Sequence, residues 1–578
     1  MSSDNNWKKL GKYYAFFLFF SLPYQIIIYI AGMSNTVGIR EAILRSSLWL
    51  IPILLLPKYT KKTAGFIALI LWAASIVSWS YFYVFGQDFS QSVLFIIFES
   101  NPTESREFIE SYISIGLITL LLAYTLLSFI LWQKLETVTL PLAQKSVTLG
   151  LICLLTAWPF MKPLLIQGAS WEYSLKKLEE RLEPATPWNI AVGYIKYKRV
   201  LHNMQKLLAE NSNTPPLKDL KNKKYNDKST MVLIIGESTN SSRMSLYGYP
   251  RKTTPLLDEM RDELLTFNNV ISPRPYTIEA LEQILSFGDQ QNPNEYLTHP
   301  TLMNMMKQAG YKSYWITNQQ TQTKRNTMLL TFSQQTDHQV YLNNNRVQNA
   351  QQLDGSVLKP FEKALNDPAK RKFIIVHLLG THRAYHYRYP QSYNHFKTRD
   401  NVPEWVNNDE LEEYNSYDNA ILYNDYVVSG LIKRLKKESK NSALVYFSDH
   451  GEEVYDTKDL RFTGRNEGKP TPAMYTVPFI TWLSPSWSKN MNLEQVNTFT
   501  NRVYSNSDFI HSWADLAGIE FKTDDVSRSI YNTAFVRRPR FIGNPNNPKS
   551  LMNYDELFPS KQYLATKQQE ALTWQDKI

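Results

Sequence analysis

Asp449 and His450 stand side by side at the end of Leu444-Val445-Tyr446-Phe447-Ser448, and Gly451 follows them at once. A short apolar run closed by a turn signal predicts a buried strand of a parallel sheet. Ligand chemistry in open α/β sheets collects at the carboxyl ends of such strands. An oxygen and an imidazole side by side there suit a divalent metal, zinc first among them. Glu237 repeats the arrangement, since Met231–Ile235 is a second apolar run that leads into Gly236-Glu237-Ser238-Thr239. A hydroxyl completes the set. Thr277 precedes Ile278–Leu285, a predicted helix, and so falls at or near its N-cap, where N–H groups favour negative charge. An alkoxide nucleophile needs both such a site and a metal to lower its pKa. Ser238 and Thr239 are rivals for that role, because they too are expected to open a helix.

These residues need a scaffold that brings strand ends together. Further strands are expected at Lys312–Thr317, Phe373–Leu378 and Ala443–Phe447, with helical stretches between them. Alternating β and α elements imply an α/β domain with a mostly parallel sheet, starting near Thr230. His382 follows the strand Phe373–Leu378, where it is placed to bind an anion or a second metal; His377 reads as a buried, hydrogen-bonded histidine.

The first 168 residues have another character. Residues 13–33, 64–86 and 111–132 are long and free of charge, enough to cross a bilayer. Residues 146–165 make a further span, interrupted by Lys162, Pro159 and Pro163, and residues 43–57 a short one with Arg45 near its start. Counting all five puts Lys8, Lys9, Lys12, Lys58, Lys61, Lys62, Lys134 and Lys145 on one side. The acidic loop Gln87–Glu110 then lies on the other. The positive-inside rule places the former in the cytoplasm and everything after the last span outside. Within the acidic loop, Val93–Phe98 is too short to span and either rests in the lipid interface or packs between helices. Residues 169–229 are expected to hold amphipathic bridging helices, including Trp171, Leu175, Leu178 and Leu182 at helical spacing, and then a Lys- and Pro-rich linker.

Across all 578 residues the formal charge is +10, yet no basic stripe or motif points to nucleic acid. Attraction to an anionic membrane or a phosphorylated glycolipid accounts for the surplus. The single cysteine, Cys153, excludes disulfides and Cys-ligated zinc.

Gly236-Glu237-Ser238-Thr239, Met244–Tyr249 with Thr253-Thr254-Pro255, Thr277, His377–His382 and Ser448–Glu452, in this order, resemble the bacterial phosphoethanolamine transferases. These are inner-membrane enzymes with a five-helix anchor and a periplasmic domain of the alkaline phosphatase/sulfatase superfamily. Length and the text around Gln87–Asn101 and Met303–Asn318 resemble the branch that modifies the phosphorylated heptose of the lipopolysaccharide core. The resemblance implies an N-terminal transmembrane bundle plus a sulfatase-like soluble domain over residues 230–578. It implies one tightly bound Zn²⁺ on Glu237, Thr277, Asp449 and His450, with a second admitted, and Thr277 as nucleophile. His382, Asn318, Lys324, Asn101 and Glu104 correspond to substrate contacts, and Glu452 lies beside the metal pair. Phosphatidylethanolamine would be the donor and lipopolysaccharide the acceptor, with the enzyme a monomer; lipid A, another periplasmic glycan, release to water, or a non-catalytic scaffold are the alternatives. Members that modify lipid A carry disulfides and a histidine downstream of the Asp-His pair. Here residues 453–478 contain no histidine, so that role is absent or falls to another residue such as Arg465 or Glu467.

Overall fold

The structure, a computed structural model, describes residues 3–31, 36–85, 113–195, 198–199, 215–223, 228–320, 327–343, 353–489, 491, 493–547 and 550–559. Asn101, Glu104, Lys324 and the Val93–Phe98 segment lie outside these. The chain divides into two compact units, Met1–Asn203 and Met204–Ile578.

The first unit is helical. Among the described residues, three of its helices are long and apolar enough to cross a membrane: Thr60–Val84, Ile115–Gln133 and Leu142–Ile166. Phe66, Leu69, Leu122, Leu126 and Leu151 are exposed on them, a pattern suited to lipid and not to water. The expected first span differs. It is a pair, Asn5–Leu18 and Leu22–Ile30, bent by 48° and counted as a fourth crossing only if taken as one. Pro23, in the first turn of the second piece, lacks the N–H that would continue the helix through the bend. The short span at 43–57 is also not one long apolar helix. Thr36–Ser46, a 3₁₀ turn at Ser47–Trp49 and Leu50–Leu55 follow one another, and the first piece carries Arg40, Glu41 and Arg45. Glu41 and Arg45 are buried as an ion pair at 2.8 Å, and Arg45 Nη1 donates to the Thr156 carbonyl at 2.5 Å. Lys9 and Lys12 reach Glu136 at 2.9 and 3.3 Å, while Lys61 Nζ donates to the Gln133 carbonyl. Trp171–Leu182 is a helix as its spacing predicts, and the Ser170 hydroxyl accepts the Tyr173 N–H at its start.

The second unit is built on a seven-stranded sheet. Its strands are β1 (Ser229–Gly236), β2 (Leu264–Thr266), β3 (Lys312–Gln320), β4 (His338–Asn343), β5 (Arg371–His377), β6 (Ser442–Ser448) and β7 (Phe479–Leu483). Their spatial order is β2-β7-β6-β1-β5-β3-β4. Pairings among β6, β1, β5, β3 and β4 are parallel; β7 alone runs against its neighbours, making the sheet mixed at one edge.

Strands β1, β5 and β6 are apolar at successive positions because both faces of the sheet are covered. On one face Val232, Ile234, Ile374, Val376, Leu444 and Tyr446 pack with side chains of α1 (Leu358–Leu365) and α2 (Leu411–Glu438), including Phe361, Ile421, Val428 and Leu431. On the other, Phe373 and Phe447 meet Trp513 and Phe509 of α3 (Phe509–Ala517). Ile235 pairs with His377 and with Phe447, and Gly236 with Ser448. The three central strands therefore end at one level.

Candidate metal and phosphoryl-transfer site

Glu237 leaves β1, Leu378 leaves β5 and Asp449 leaves β6 at that shared edge. The Asp449 carboxylate pins the turn, because its Oδ1 accepts the backbone N–H of His450 at 2.7 Å and of Ser238 at 3.1 Å. Ser238 takes a positive φ of 57°, a cost the surrounding contacts sustain, and it opens no helix; the 3₁₀ turn nearby begins at Ser241. Ser238 Oγ instead donates to Glu237 Oε1 at 3.0 Å, and Thr239 N–H to Ser448 Oγ.

Thr277 is the first residue of an eight-residue helix, Thr277–Ile284, with Tyr276 at the cap position. Its expected place at the helix start holds, though its side chain caps nothing. Thr277 Oγ1 lies 3.0 Å from Glu237 Oε2, 3.2 Å from Oε1 and 3.3 Å from His450 Nε2. The segment before it is fastened at two points: Ser272 Oγ donates to the Asp449 carbonyl at 2.5 Å, and Arg274 meets Glu467 at 2.6 and 3.1 Å.

His450 Nδ1 lies 2.8 Å from the Gly451 carbonyl, which fixes the proton there and leaves the Nε2 lone pair facing the acidic residues. Nε2 stands 3.2 Å from Glu237 Oε1 and 3.3 Å from Asp449 Oδ2. The three side chains are almost wholly buried, and one potential ligand atom from each lies within 4.8 Å of the others. Burial pushes the Glu237 carboxyl up, but hydrogen bonding at His450 and the positive charge gathered around the site, that of Arg465 included, outweigh it and hold Glu237 well below the carboxylate range. Burial and the Glu237 charge together raise Asp449. Two carboxylates this close in a dry site call for a cation. Asp449 Oδ2 is buried without a hydrogen-bond partner, an expensive state for a carboxylate oxygen. A zinc ion fits that set: two carboxylates, one neutral imidazole and a hydroxyl oxygen.

A family model described as Sulfatase matches residues 229–519. Over 557 residues the chain is 49% identical to phosphoethanolamine transferase EptC of Escherichia coli K12, covering 96% of each. The same identity and coverage hold for phosphoethanolamine transferase CptA of Salmonella typhimurium. The chain belongs to the phosphoethanolamine transferase family. The C-terminal periplasmic domain of E. coli EptC, crystallised as a complex with Zn, is 53% identical, covers 60% of this chain and 99% of its own, and superposes with a TM-score of 0.58. The integral membrane lipooligosaccharide phosphoethanolamine transferase A of Neisseria meningitidis covers 92% of this chain and 99% of its own at a TM-score of 0.64. At 19% identity that likeness is one of fold.

In this phosphoethanolamine transferase family member the remaining predicted residues part company. His382 is half-buried and, when protonated, favours the ionised form of Glu237. Glu452 is buried beside the ligands, accepting from the Tyr385 hydroxyl at 3.0 Å and pairing with Arg465 Nε at 3.3 Å. Asn318 is fully buried and donates to Asp354 Oδ1 at 2.8 Å, a contact within the scaffold. Asp354 also takes the N–H groups of Leu379 and Gly380, which shapes the loop after β5. His377 is buried, but neither ring nitrogen finds a hydrogen-bond partner, contrary to expectation. Gln319 was not foreseen: its Nε2 donates to Glu237 Oε2 at 3.1 Å and to the Leu378 carbonyl at 2.9 Å. It stands two positions past the strand that the sequence suggested, and β3 in fact runs on to Gln320.

Proposed function

We propose that this chain transfers phosphoethanolamine from phosphatidylethanolamine to the phosphorylated heptose of the lipopolysaccharide core. It would act as a monomer in the bacterial inner membrane, with residues from about 169 onward in the periplasm. The observation that carries the chemistry is Thr277 Oγ1 at a helix start, within 3.3 Å of both Glu237 and His450. The names of the relatives support the transferred group, and the zinc complex of the E. coli domain supports the metal.

Glu237, Asp449, His450 and Thr277 would hold the zinc ion. Bound there, zinc supplies Lewis acidity that lowers a hydroxyl pKa and offsets phosphoryl charge. Glu237 accepts the Thr277 hydroxyl hydrogen bond and so orients Oγ1. The oxygen attacks phosphorus in line: a Thr277 O–P bond forms, and the bond from phosphorus to the diacylglycerol oxygen breaks. The proton released from Thr277 is balanced by the one that diacylglycerol gains. An oxygen of the phosphorylated acceptor then attacks the same phosphorus, and Thr277 regains its proton as the leaving group. Helix N–H groups around Thr277 would take phosphoryl oxygens, a role in which His382 would share.

Five crossings are supported by contacts within the helical unit. Lys9, Lys12 and Lys61 meet the stretch Gln133–Glu136 at one end. The chain leaves that end along the bent pair and starts Thr60 at it again, and a return crossing by the segment between would make the fifth.

Intact mass measurement after incubation with phosphatidylethanolamine tests the reading. Wild-type protein gains one phosphoethanolamine and Thr277→Ala gains none. An adduct persisting in the variant moves the nucleophile elsewhere.

A further inference from the structure

Arg465 lies on the loop after the short strand Thr463–Gly464 and points into the site. Its Nη1 is 2.6 Å from His450 Nε2 and 3.5 Å from Glu237 Oε1, and its side chain is 14% exposed. We propose that Arg465 is a catalytic residue, the permanent cation that takes a non-bridging oxygen of the phosphoryl group transferred at Thr277, aimed by Glu452 and Tyr385. This rests on the transferase reading above and extends it to a residue that the ligand set does not include.

Three features of the surroundings carry the inference. The imidazole of His450 has committed its Nδ1 proton to the Gly451 carbonyl, so Nε2 offers a single lone pair. A metal on that lone pair leaves the Nη1 protons to another acceptor. The acceptor the reaction brings is a phosphoryl oxygen at Thr277 Oγ1, itself 3.3 Å from the same Nε2. Secondly, Arg465 is held from behind. Its Nε lies 3.3 Å from Glu452 Oε2, an ion pair without hydrogen-bond geometry, and Glu452 Oε1 accepts from Tyr385 OH at 3.0 Å. Burial, with the charge of Glu452, keeps the Tyr385 hydroxyl protonated and therefore a donor. A guanidinium can give Nε to one oxyanion and Nη to another; an ammonium on a flexible stem does this poorly.

Thirdly, both sides of the loop are tied down. Arg383 donates to Thr463 O at 2.9 Å and to its Oγ1 at 2.7 Å, and Glu467 is clasped by Arg274. The guanidinium therefore meets developing charge with little reorganisation, which is where such contacts count most. The same clasp removes Glu467 as the alternative, since its carboxylate is committed to Arg274.

The test uses the full chain in detergent as wild type, Arg465→Ala, Arg465→Lys, Glu452→Gln and the double variant Arg465→Ala/Glu452→Gln. Three quantities are read: zinc per protein, the inorganic phosphate concentration that half-saturates a thermal shift, and the rate of adduct formation from phosphatidylethanolamine. Arg465→Ala should keep its zinc, need at least about tenfold more phosphate, and form adduct about 10²–10³-fold more slowly. Arg465→Lys should fall between, and Glu452→Gln should slow the wild type while adding little to Arg465→Ala. Adduct formation by Arg465→Ala at the wild-type rate overturns the proposal, as does unchanged phosphate dependence or a zinc loss that tracks the activity loss. If Arg465→Ala does not fold, Arg465→Lys decides: wild-type phosphate dependence and rate overturn the proposal. Failure of the wild type itself to form an adduct sinks the transferase reading instead.

Discussion

Gly380 rests against the backbone of Glu237. A Cβ at Gly380 would stand 2.7 Å from the Glu237 carbonyl oxygen and 2.8 Å from its nitrogen, and the φ of 54° adds strain for any other residue. Gly380→Ala should therefore cost about 1–3 kcal/mol and displace the carboxylate that orients Thr277. Melting temperature and zinc content should both fall. A variant normal in both would mean that the loop after β5 yields without moving Glu237.

The ligand set predicts a split between two variants. His450→Ala removes the imidazole and should lower zinc content and activity together. Thr277→Ala keeps two carboxylates and the imidazole, so activity should vanish while most of the zinc remains. Elemental analysis of the purified proteins separates the cases, and full zinc occupancy in His450→Ala would remove this residue from the metal centre.

His377 gives the fold a pH dependence of known sign. Burial brings its imidazole down to about 4, against an ordinary value of 6.5. The unfolded chain thus takes up a proton below pH 6.5 that the folded chain refuses until about pH 4. Stability from this group is complete above 6.5 and is lost as pH falls towards 4, by roughly 3 kcal/mol in all. His377→Leu should melt with a shallower pH dependence across that window. Parallel curves for the two proteins would show that the histidine finds solvent or a proton acceptor.

Membrane topology is open to a direct check. Reporter fusions at residues 58–62 should read as cytoplasmic and fusions within 211–229 as periplasmic. Matching readings would remove one crossing and put the metal centre on the wrong side for lipopolysaccharide.

The strand-end ligands were legible because Met231–Ile235 and Leu444–Phe447 run to within one residue of Glu237 and Asp449, with only Gly236 and Ser448 between. A buried parallel strand writes itself as an apolar run, and its end is where the run stops. Asn318 was not legible in this way. A polar residue near a strand end has the same appearance whether it faces a substrate or, as here, a buried aspartate. Arg465 was named only as one of two substitutes for an absent histidine. Its loop has no periodicity, and the choice between it and Glu467 rests on Arg274, far away in sequence. The bend before Leu22 escaped because hydropathy is continuous through it; Pro23 was the available signal.

The separation of the ligands along the chain has a consequence for how the protein comes into being. Ser238 donates to Asp449 across 211 positions, while β1 and β6, which present the two acids, pair directly. Closing so long a loop is slow and is rewarded only once the sheet is in register. No nascent fragment that stops short of β6 possesses a zinc site. Metal uptake during refolding would thus lag behind helix formation and report completed topology, so a zinc-responsive signal would serve as a clock for the last long-range step.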